Sequence, residues 1–267
     1  MGVLLALGSA VAYGAADFAG GLLSRRAHFG TVALVGQLAG FLFALVAALL
    51  VPAATSLGDL GWGALSGVGT GVGMAFLYRG LARGDMSVVV PVSAVGGVAL
   101  PVIVSVAVLG ERPTLLAWAG VVVAVPALWL VGRTDGAGKA GGLGDALIAS
   151  VGIAVQYLAL AQAGGGLWPV VAGRVTAALV VLPMARHKIS RRAGLGAAAC
   201  GGLATSALVF YLLATRQALD VVAVVLSSLY PAIPVLLGIT MLRERLSRWQ
   251  AGGLAAAAVA IGLLAVG

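Results

Sequence analysis

A single carboxylate, Asp17, stands within the first long apolar stretch of the chain, and Tyr13 precedes it by four residues. Residues four apart lie on the same face of a helix, so both side chains would share one environment. An ionisable group deep in a membrane is costly unless it is paired or functional. Three interpretations remain open: an ion pair with Arg79 at a similar depth, a carboxylate that binds substrate or a proton, and a residue that faces lipid headgroups.

A guanidinium lies inside another apolar stretch, at Arg174, deeper than the other basic residues. Its planar fork suits a substrate carboxylate, which it can bind through two hydrogen bonds. The alternatives are a buried pairing within the protein and a side chain that extends along the helix to reach the headgroups. Gln37 is a polar residue at a comparable position in the first half of the chain.

Two apolar segments contain prolines, which remove a backbone hydrogen bond and bend a helix. The candidate hinges are Pro91, Pro101, Pro231 and Pro234. In a membrane, the carbonyls that a proline leaves free must face protein or water. The neighbouring side chains that could satisfy these carbonyls or contact substrate are Ser93, Ser227, Ser228 and Tyr230. Gln156 and Tyr157 complete the candidate binding residues.

These residues lie in an apolar chain, which is 61% hydrophobic and 9% charged, with a mean hydropathy of +1.13. Soluble domains carry about 25% charged residues, and a membrane-spanning helix needs about 20 mostly apolar residues. The sequence predicts ten such helices, at 2–22, 31–52, 60–81, 87–109, 114–132, 143–163, 168–185, 194–216, 220–242 and 248–266. The first lacks a basic leading region, so we interpret it as a retained span and not a signal peptide.

The composition argues against several other classes of protein. One cysteine, Cys200, excludes an internal disulfide, and two histidines in loops, His28 and His187, offer no plausible metal site, so no cofactor is expected. The acidic residues are scattered, which disfavours an integral-membrane enzyme. The net charge of +8 comes mainly from Lys and Arg at helix ends, where they anchor a protein to headgroups, so nucleic acid is not an expected partner.

The chain contains an internal repeat, because the run from Phe76 to Gly132 aligns without gaps over Val209 to Ala265. The alignment pairs Tyr78 with Tyr211, Arg83 with Arg216, Pro101 with Pro234, Glu111 with Glu244, Thr114 with Ser247 and Gly120 with Gly253. Shorter matches pair Tyr13 with Tyr157, and Gly36-Gln37 with Gly173-Arg174. Most of these residue types are scarce in the chain, so their coincidence indicates a duplication of the kind from which transporters are built.

Each half, residues 1–135 and residues 140–267, holds five predicted spans, which is an odd number. The second half therefore enters the membrane from the opposite side, and a pseudo-two-fold axis in the membrane plane relates the halves. Such a pair has two nearly equivalent packings, each open to one side, and exchange between them is alternating access. The predicted fold is all-α integral membrane, with ten transmembrane helices as two inverted five-helix repeats around a central cavity.

Glycines recur at a spacing of four in several predicted helices. The pairs are Gly67 with Gly71, Gly69 with Gly73, and Gly36 with Gly40. A phosphate-binding loop would need a preceding strand and a following Lys-Ser/Thr, which are absent from this part of the sequence. We therefore expect these glycines to allow close packing between helices.

Basic residues are distributed unevenly between the loops, which are numbered here by the helix that each follows. The odd loops hold Arg25, Arg26, Arg79, Arg83, Arg133, Lys139, Arg186, Lys188, Arg191, Arg192, Arg243, Arg245 and Arg248. The even loops hold Arg112 and Arg216. The positive-inside rule predicts odd loops in the cytoplasm and both termini outside. The abundance of alanine and arginine favours a bacterial inner membrane as the location.

Three sets of motifs carry a resemblance that covers essentially the whole chain. They are Tyr13 to Gly21 with Ser24-Arg25-Arg26, Pro91 to Pro101 with Leu109 to Pro113, and Ser227 to Pro234 with Leu242 to Ser247 and Gly252-Gly253. Together they resemble the EamA-type module of the drug/metabolite transporter superfamily. The resemblance implies a cavity lined by helices 1, 3, 4, 6, 8 and 9, with helices 5 and 10 as a support or a dimer interface. It also implies both termini in the cytoplasm, which is opposite to the charge distribution of this chain.

The resemblance further implies transport of small metabolites, often export of amino acids or related compounds. The sequence as a whole predicts a secondary transporter, facilitator or exporter of amino-acid-like or drug-like solutes that works by alternating access. The expected partners are a small-molecule substrate, the lipid bilayer and a second copy in a homodimer. A protein that translocates lipids or other amphiphiles is the alternative, and an integral-membrane enzyme is disfavoured.

Overall fold

The computed structural model describes residues 2–104, 106–107, 112–132, 142–164, 166–185, 188–215 and 226–266 of the 267-residue chain. Within these ranges the backbone is almost entirely helical and contains no β-strand. Several residues used in the sequence predictions lie outside the described ranges, namely Glu111, Arg133, Lys139, Arg186, His187 and Arg216.

The described helices are α1 Gly2–Ser24, α2 Phe29–Leu50, α3 Leu57–Arg83, α4 Met86–Val104, α5 Leu115–Gly132, α6 Leu143–Ala161, α7 Trp168–Val181, α8 Arg191–Thr215, α9 Ala232–Met241 and α10 Arg248–Val266. Eight of them are long and apolar enough to cross a membrane, and α7 and α9 are shorter apolar helices. Each of the eight overlaps a predicted span, so the all-α membrane class is confirmed.

The outer face of the helix bundle is apolar, as a surface in contact with lipid tails must be. On α2 the side chains of Leu42 and Phe43 are exposed, and on α5 those of Trp118, Val122 and Trp129 are exposed. A soluble monomer rarely exposes continuous apolar patches of this kind, because water does not solvate them favourably. The surface therefore supports insertion of the whole bundle in a bilayer.

Side chains satisfy the first backbone N–H groups of several helices, which have no partner within the helix. Ser56 Oγ accepts a hydrogen bond from the amide of Asp59 at 3.1 Å, and Asp59 accepts one from the amide of Ser56 at 2.8 Å. Ser247 and Gln250 form the same reciprocal cap before α10. Thr114 caps α5 through the amide of Ala117 at 3.2 Å. Thr114 and Ser247, which the repeat pairs, thus have the same role.

Glycines bring the helix backbones into contact, as their spacing predicts. The helix α3 packs against α6 and α7, while α8 packs against α1 and α2. A Cβ atom added at Gly67 would overlap the carbonyl of Gly173 in α7, and one added at Gly69 would lie 2.5 Å from the carbonyl of Gly152 in α6. A Cβ atom at Gly201 in α8 would likewise overlap the carbonyl of Gly36 in α2. The predicted packing role is therefore confirmed.

The two proline-containing segments differ, although the sequence predicts that they are symmetric partners. The helix α4 continues through Pro91 and Pro101. In the other segment, residues 228–231 form turns, and α9 begins only after Pro231. Because Pro231 and Pro234 lack N–H groups, the i−4 carbonyls accept instead from the amides of Tyr230 and Ile233, each at 3.3 Å. In the described residues, one proline-containing segment is therefore a continuous helix and the other is interrupted by turns.

Substitution of Gly67 by alanine should destabilise the bundle, because the new methyl group would overlap the backbone of α7, which cannot move away without shifting that helix. We expect a loss of about 1–3 kcal/mol, the usual cost of overpacking. Gly61 on the same helix has open space around it. Gly61→Ala is the matched control and should stabilise by about 0.5–1 kcal/mol. Thermal unfolding in detergent measures both, and equal melting temperatures would contradict the packing role.

Candidate functional site

Two adjoining cavities lie inside the bundle and share three tyrosines, Tyr13, Tyr157 and Tyr230. The inner cavity, of about 60 Å³, lies between α1, α3, α4 and α6. The outer cavity, of about 240 Å³, extends from the tyrosines between α1, α4, α8 and α10. The rings of Tyr13 and Tyr230 are tilted against each other, with their centroids 5.8 Å apart. The tyrosines therefore form the boundary between the two cavities.

Asp17 lines the inner cavity and is 6% exposed. Among the residues that the structure describes, no basic side chain lies within ion-pair distance of its carboxylate. The possible ion pair with Arg79 is absent, because the Arg79 guanidinium lies 3.5 Å from Asp145 and stacks over the ring of Phe76. Asp145 also lies 3.7 Å from Arg83 and thus neutralises the end of α3. Asp17 remains as a buried carboxylate that faces a cavity.

The other predicted binding residues divide between the two cavities. Ser93 and Gln156 line the inner cavity, while Ser227, Ser228 and the hinge candidate Pro101 line the outer one. The Ser93 hydroxyl donates to the carbonyl of Val90 at 2.9 Å. The Ser227 hydroxyl donates to the carbonyl of Ala6 at 3.4 Å and so joins this segment to α1. Both serines therefore satisfy backbone carbonyls while they face the cavities.

Arg174 and Gln37 contact each other, and neither lines the tyrosine-bounded cavities. The Arg174 guanidinium donates to Gln37 Oε1 at 2.9 Å, and the two residues are 6% and 1% exposed. The arginine is therefore buried within the bundle and does not extend to the headgroups. The buried pairing is the correct interpretation among those that the sequence left open. Arg79 is likewise outside both cavities.

Sequence reasoning did not identify Ser9, which lines the outer cavity. It is 1% exposed, and its hydroxyl oxygen has no hydrogen-bond partner within the described structure. Ser9, Tyr13 and Asp17 are spaced by four residues, so they form one polar stripe along α1. This spacing is the signal that could have identified it. Asp145 was also missed, although an acidic residue in the first turn of a helix is a common signal of that helix end.

A hydrogen-bonded cluster joins the elements at the end of the bundle at which α1 and α3 finish and α4 begins. The Glu244 carboxylate accepts hydrogen bonds from the amides of Met86 and Ser87, both at 2.9 Å. Arg25 donates to the carbonyls of Leu81 and Gly84 and lies 3.4 Å from Glu244. These contacts join α1, α3 and α4 to the segment that follows α9. We call this cluster the Glu244 seal.

A model of the EamA-like transporter family matches residues 1–133 of the chain. This chain belongs to the EamA-like transporter family. The family is part of the drug/metabolite transporter superfamily, and its members are membrane transporters of small solutes and not enzymes. No curated protein matches the chain significantly. With its apolar helices, the chain is thus a multi-pass membrane protein of a transporter family.

Removal of the Gln37 side chain should destabilise the protein, because the buried Arg174 guanidinium would lose its hydrogen bond to Oε1. A hydrogen bond to a charged group is worth about 1.5–3 kcal/mol, which sets the expected loss in Gln37→Ala. Gln37→Glu keeps the acceptor and adds an opposite charge, so it should retain more stability than Gln37→Ala. Thermal unfolding in detergent tests this order, and equal loss in both variants would contradict the role of the hydrogen bond.

Proposed function

We propose that the protein is a secondary transporter that moves small organic solutes with a protonated amine by alternating access through the tyrosine-lined cavities. The observation that carries this proposal is the buried Asp17 carboxylate, which faces a cavity without an ion-pair partner among the described residues. A buried charge is costly unless it is compensated. A cationic substrate would compensate it while bound.

The side chains around Asp17 suit an ammonium group. Three tyrosine rings border the cavity, and the face of an aromatic ring attracts a cation within about 6 Å of its centroid. The hydroxyl groups of Ser9 and Ser93 add polar contacts toward the outer and inner ends. The two cavities, of about 60 and 240 Å³, are each smaller than the usual ligand pocket of about 300–1,000 Å³, which favours a solute of amino-acid size over a large drug-like molecule.

The inverted repeat is supported by contacts between equivalent residues. Gln37 and Arg174 are matched by the repeat and hydrogen-bond to each other, which two equivalent residues can do only close to a two-fold axis. A Cβ atom at Gly120 in α5 would meet Leu264, and one at the equivalent Gly253 in α10 would meet Val131. The repeat also matches Val131 with Leu264, so the two contacts are the same contact made twice.

The packing of whole helices supports the same symmetry. In the proposed repeat, α1 to α5 correspond to α6 to α10 in the same order. If each helix is exchanged with its counterpart, the contact between α1 and α8 becomes the contact between α6 and α3, and the contact between α2 and α8 becomes the contact between α7 and α3. The exchange also converts α4–α6 into α9–α1, while α2–α7, α4–α9 and α5–α10 convert into themselves. All of these contacts occur in the structure. We therefore propose residues 1–135 and 140–267 as two inverted repeats, with the odd number of spans per half as the reason for the inversion.

The broken segment before α9 gives the substrate site its asymmetry. Residues 228–231 leave the helix next to both cavities, and Tyr230 lies in this turn. Discontinuous helices at the interface between repeats are typical of transporter binding sites, because their free backbone groups can contact a solute. The turn also packs on α1, where a Cβ atom at Gly14 would lie 2.7 Å from the carbonyl of Tyr230. Movement of this segment would therefore move α1.

The structure corresponds to one of two states in this proposal. The Glu244 seal closes the end at which α1 finishes, whereas the outer cavity extends from the tyrosines toward the opposite end, along Ser9, Pro101 and Tyr211. Rocking of the two repeats would break the seal and close the outer cavity. The charge distribution of the loops supports the seal on the cytoplasmic side of a bacterial inner membrane and both termini outside.

Translocation of an amphiphile is the second candidate function. An apolar groove of about 270 Å³ runs between α4, α9 and α10, with Pro91, Leu236 and Ile261 in its wall. Ser228 and its neighbours separate this groove from the outer cavity, so a chain could lie in the groove while a headgroup lies near the tyrosines. A small amine without an acyl chain would not need the groove. A substitution that shortens a side chain in the wall of the groove therefore distinguishes the two candidate functions, because it should weaken binding only of a solute with an acyl chain.

Asp17→Asn should abolish stabilisation of the protein by amines. The test is a thermal-shift series with protonated amines and their neutral hydroxyl analogues, because a ligand that binds the folded state raises the melting temperature once it exceeds its dissociation constant. Amines should stabilise the native protein, and their neutral analogues should not. In Asp17→Asn we expect at least a tenfold loss of affinity, roughly the effect of one lost charge-assisted hydrogen bond.

Asp59→Asn is the matched control, since it removes an exposed carboxylate at the start of α3, apart from both cavities. Its response to amines should equal that of the native protein. Amine stabilisation that survives in Asp17→Asn would overturn the proposed site. Stabilisation by acyl-chain compounds alone, reduced by Leu236→Ala, would favour the amphiphile instead.

Loss of the Glu244 carboxylate should open the seal. Hydrogen exchange of the amides of Met86 and Ser87 reports this directly, because both amides donate to Glu244. We expect the fastest exchange in Glu244→Ala, an intermediate rate in Glu244→Gln and the slowest in the native protein. The amide of Val89, which donates to the carbonyl of Asp85, is the internal reference. Unchanged exchange at Met86 and Ser87 in Glu244→Ala would show that the carboxylate does not hold this end closed.

A further inference from the structure

A separate cavity of about 400 Å³ lies at the end of the bundle that carries the Glu244 seal. It is formed by the residues that follow α1, the start of α2 and the segment that leads into α8. Three basic side chains line it, Arg26, Lys188 and Arg192. They come from two distant parts of the chain, so the fold brings them to one place.

The positive charge of this cavity is not neutralised by the described part of the protein. None of the three cations is in an ion pair there, and the residues that line the cavity include no carboxylate. Glu244 at the same end is bound by Arg25 and by the amides of Met86 and Ser87. Like charges around one concave surface produce a positive potential that attracts an anion.

Other side chains of the cavity indicate the chemical nature of the anion that it would bind. The hydroxyl groups of Thr31 and Ser190 lie at its wall, and Leu23 and Ile189 give it an apolar side. A guanidinium fork suits the paired oxygens of a phosphate, to which a lysine adds a point charge and hydroxyls add further donors. The apolar side would fit carbon groups attached to that phosphate.

From this arrangement we infer that the cavity binds a phosphate group, and that its source is the headgroup of an anionic phospholipid. The cavity lies at the ends of the membrane-spanning helices α1, α2 and α8, which is the level of the headgroups. Basic pockets between helices at this level suit anionic headgroups. Leu23 also packs against Gly196 of α8, so the bound headgroup would hold α1 and α8 together.

The test measures lipid binding to the purified full-length protein by native mass spectrometry, with phosphatidylglycerol and phosphatidylcholine as probes. A triple variant, Arg26→Gln, Lys188→Gln and Arg192→Gln, removes the cations of the cavity. A matched variant, Arg191→Gln, Arg245→Gln and Arg248→Gln, removes the same charge from exposed residues outside the cavity. We expect preferential binding of phosphatidylglycerol, weakened at least tenfold in the cavity variant, because the headgroup phosphate would lose its direct charge-assisted hydrogen bonds to all three cations of the cavity. The matched variant should change it less than twofold.

A parallel thermal-shift series with inorganic phosphate against chloride, at constant ionic strength, separates the two sources of phosphate. Stabilisation by phosphate that requires the cavity cations, without preference for phosphatidylglycerol, would support a phosphate site but overturn the lipid as its source. Equal loss of phosphatidylglycerol binding in the two triple variants would overturn the inference, because it would show general surface attraction. Unliganded melting temperatures show whether each variant is folded. The inference does not depend on Asp17, so failure of the proposed transport site leaves it intact.

Discussion

The buried hydrogen bond between Arg174 and Gln37 is the interaction on which the proposed arrangement of the two halves depends. A guanidinium in a membrane interior needs hydrogen-bond acceptors, and the residue that the internal repeat matches with Arg174 supplies one. The bond fixes the distance between α2 and α7, which face each other across the proposed two-fold axis. Glycines allow α3 to pack closely on α6 and α7, and α8 to pack closely on α1 and α2. A movement of one half relative to the other would therefore separate helix backbones that are in contact.

In the proposed transporter, the substrate site lies where the two halves differ. Asp17 has Ala161 as its counterpart, and the continuous α4 has a broken segment as its partner. Both departures lie at the same cavities, beside Tyr13 and Tyr230. In the proposed mechanism, a symmetric scaffold would provide two states of similar free energy, and the asymmetric residues would provide one binding site that both states share. The Glu244 seal would then mark the state that the structure represents.

Most of the fold could be predicted from the sequence, because lipid leaves the backbone few choices other than helices. The glycine contacts and the cluster of Tyr13, Asp17 and Tyr157 followed from spacing and from the repeat. The ion pair of Arg79 could not be predicted in this way. The sequence offered Asp17 as its partner, whereas the position of Asp145 depends on how α6 packs against α3. The break before α9 was also missed. Its signal is Pro231, which the repeat places opposite Val98 of the continuous α4, whereas Pro234 has Pro101 as its counterpart.

We propose that one cavity is exposed to each side of the membrane in turn. Tyr157, which is 41% exposed and lines both cavities, is the best position to test it. The measurement is the reaction of Tyr157→Cys with a membrane-impermeant maleimide, added to one side of the membrane or to the other, with the buried Cys200 replaced by alanine. We predict labelling from both sides. Labelling from one side alone, with and without an amine substrate, would contradict it.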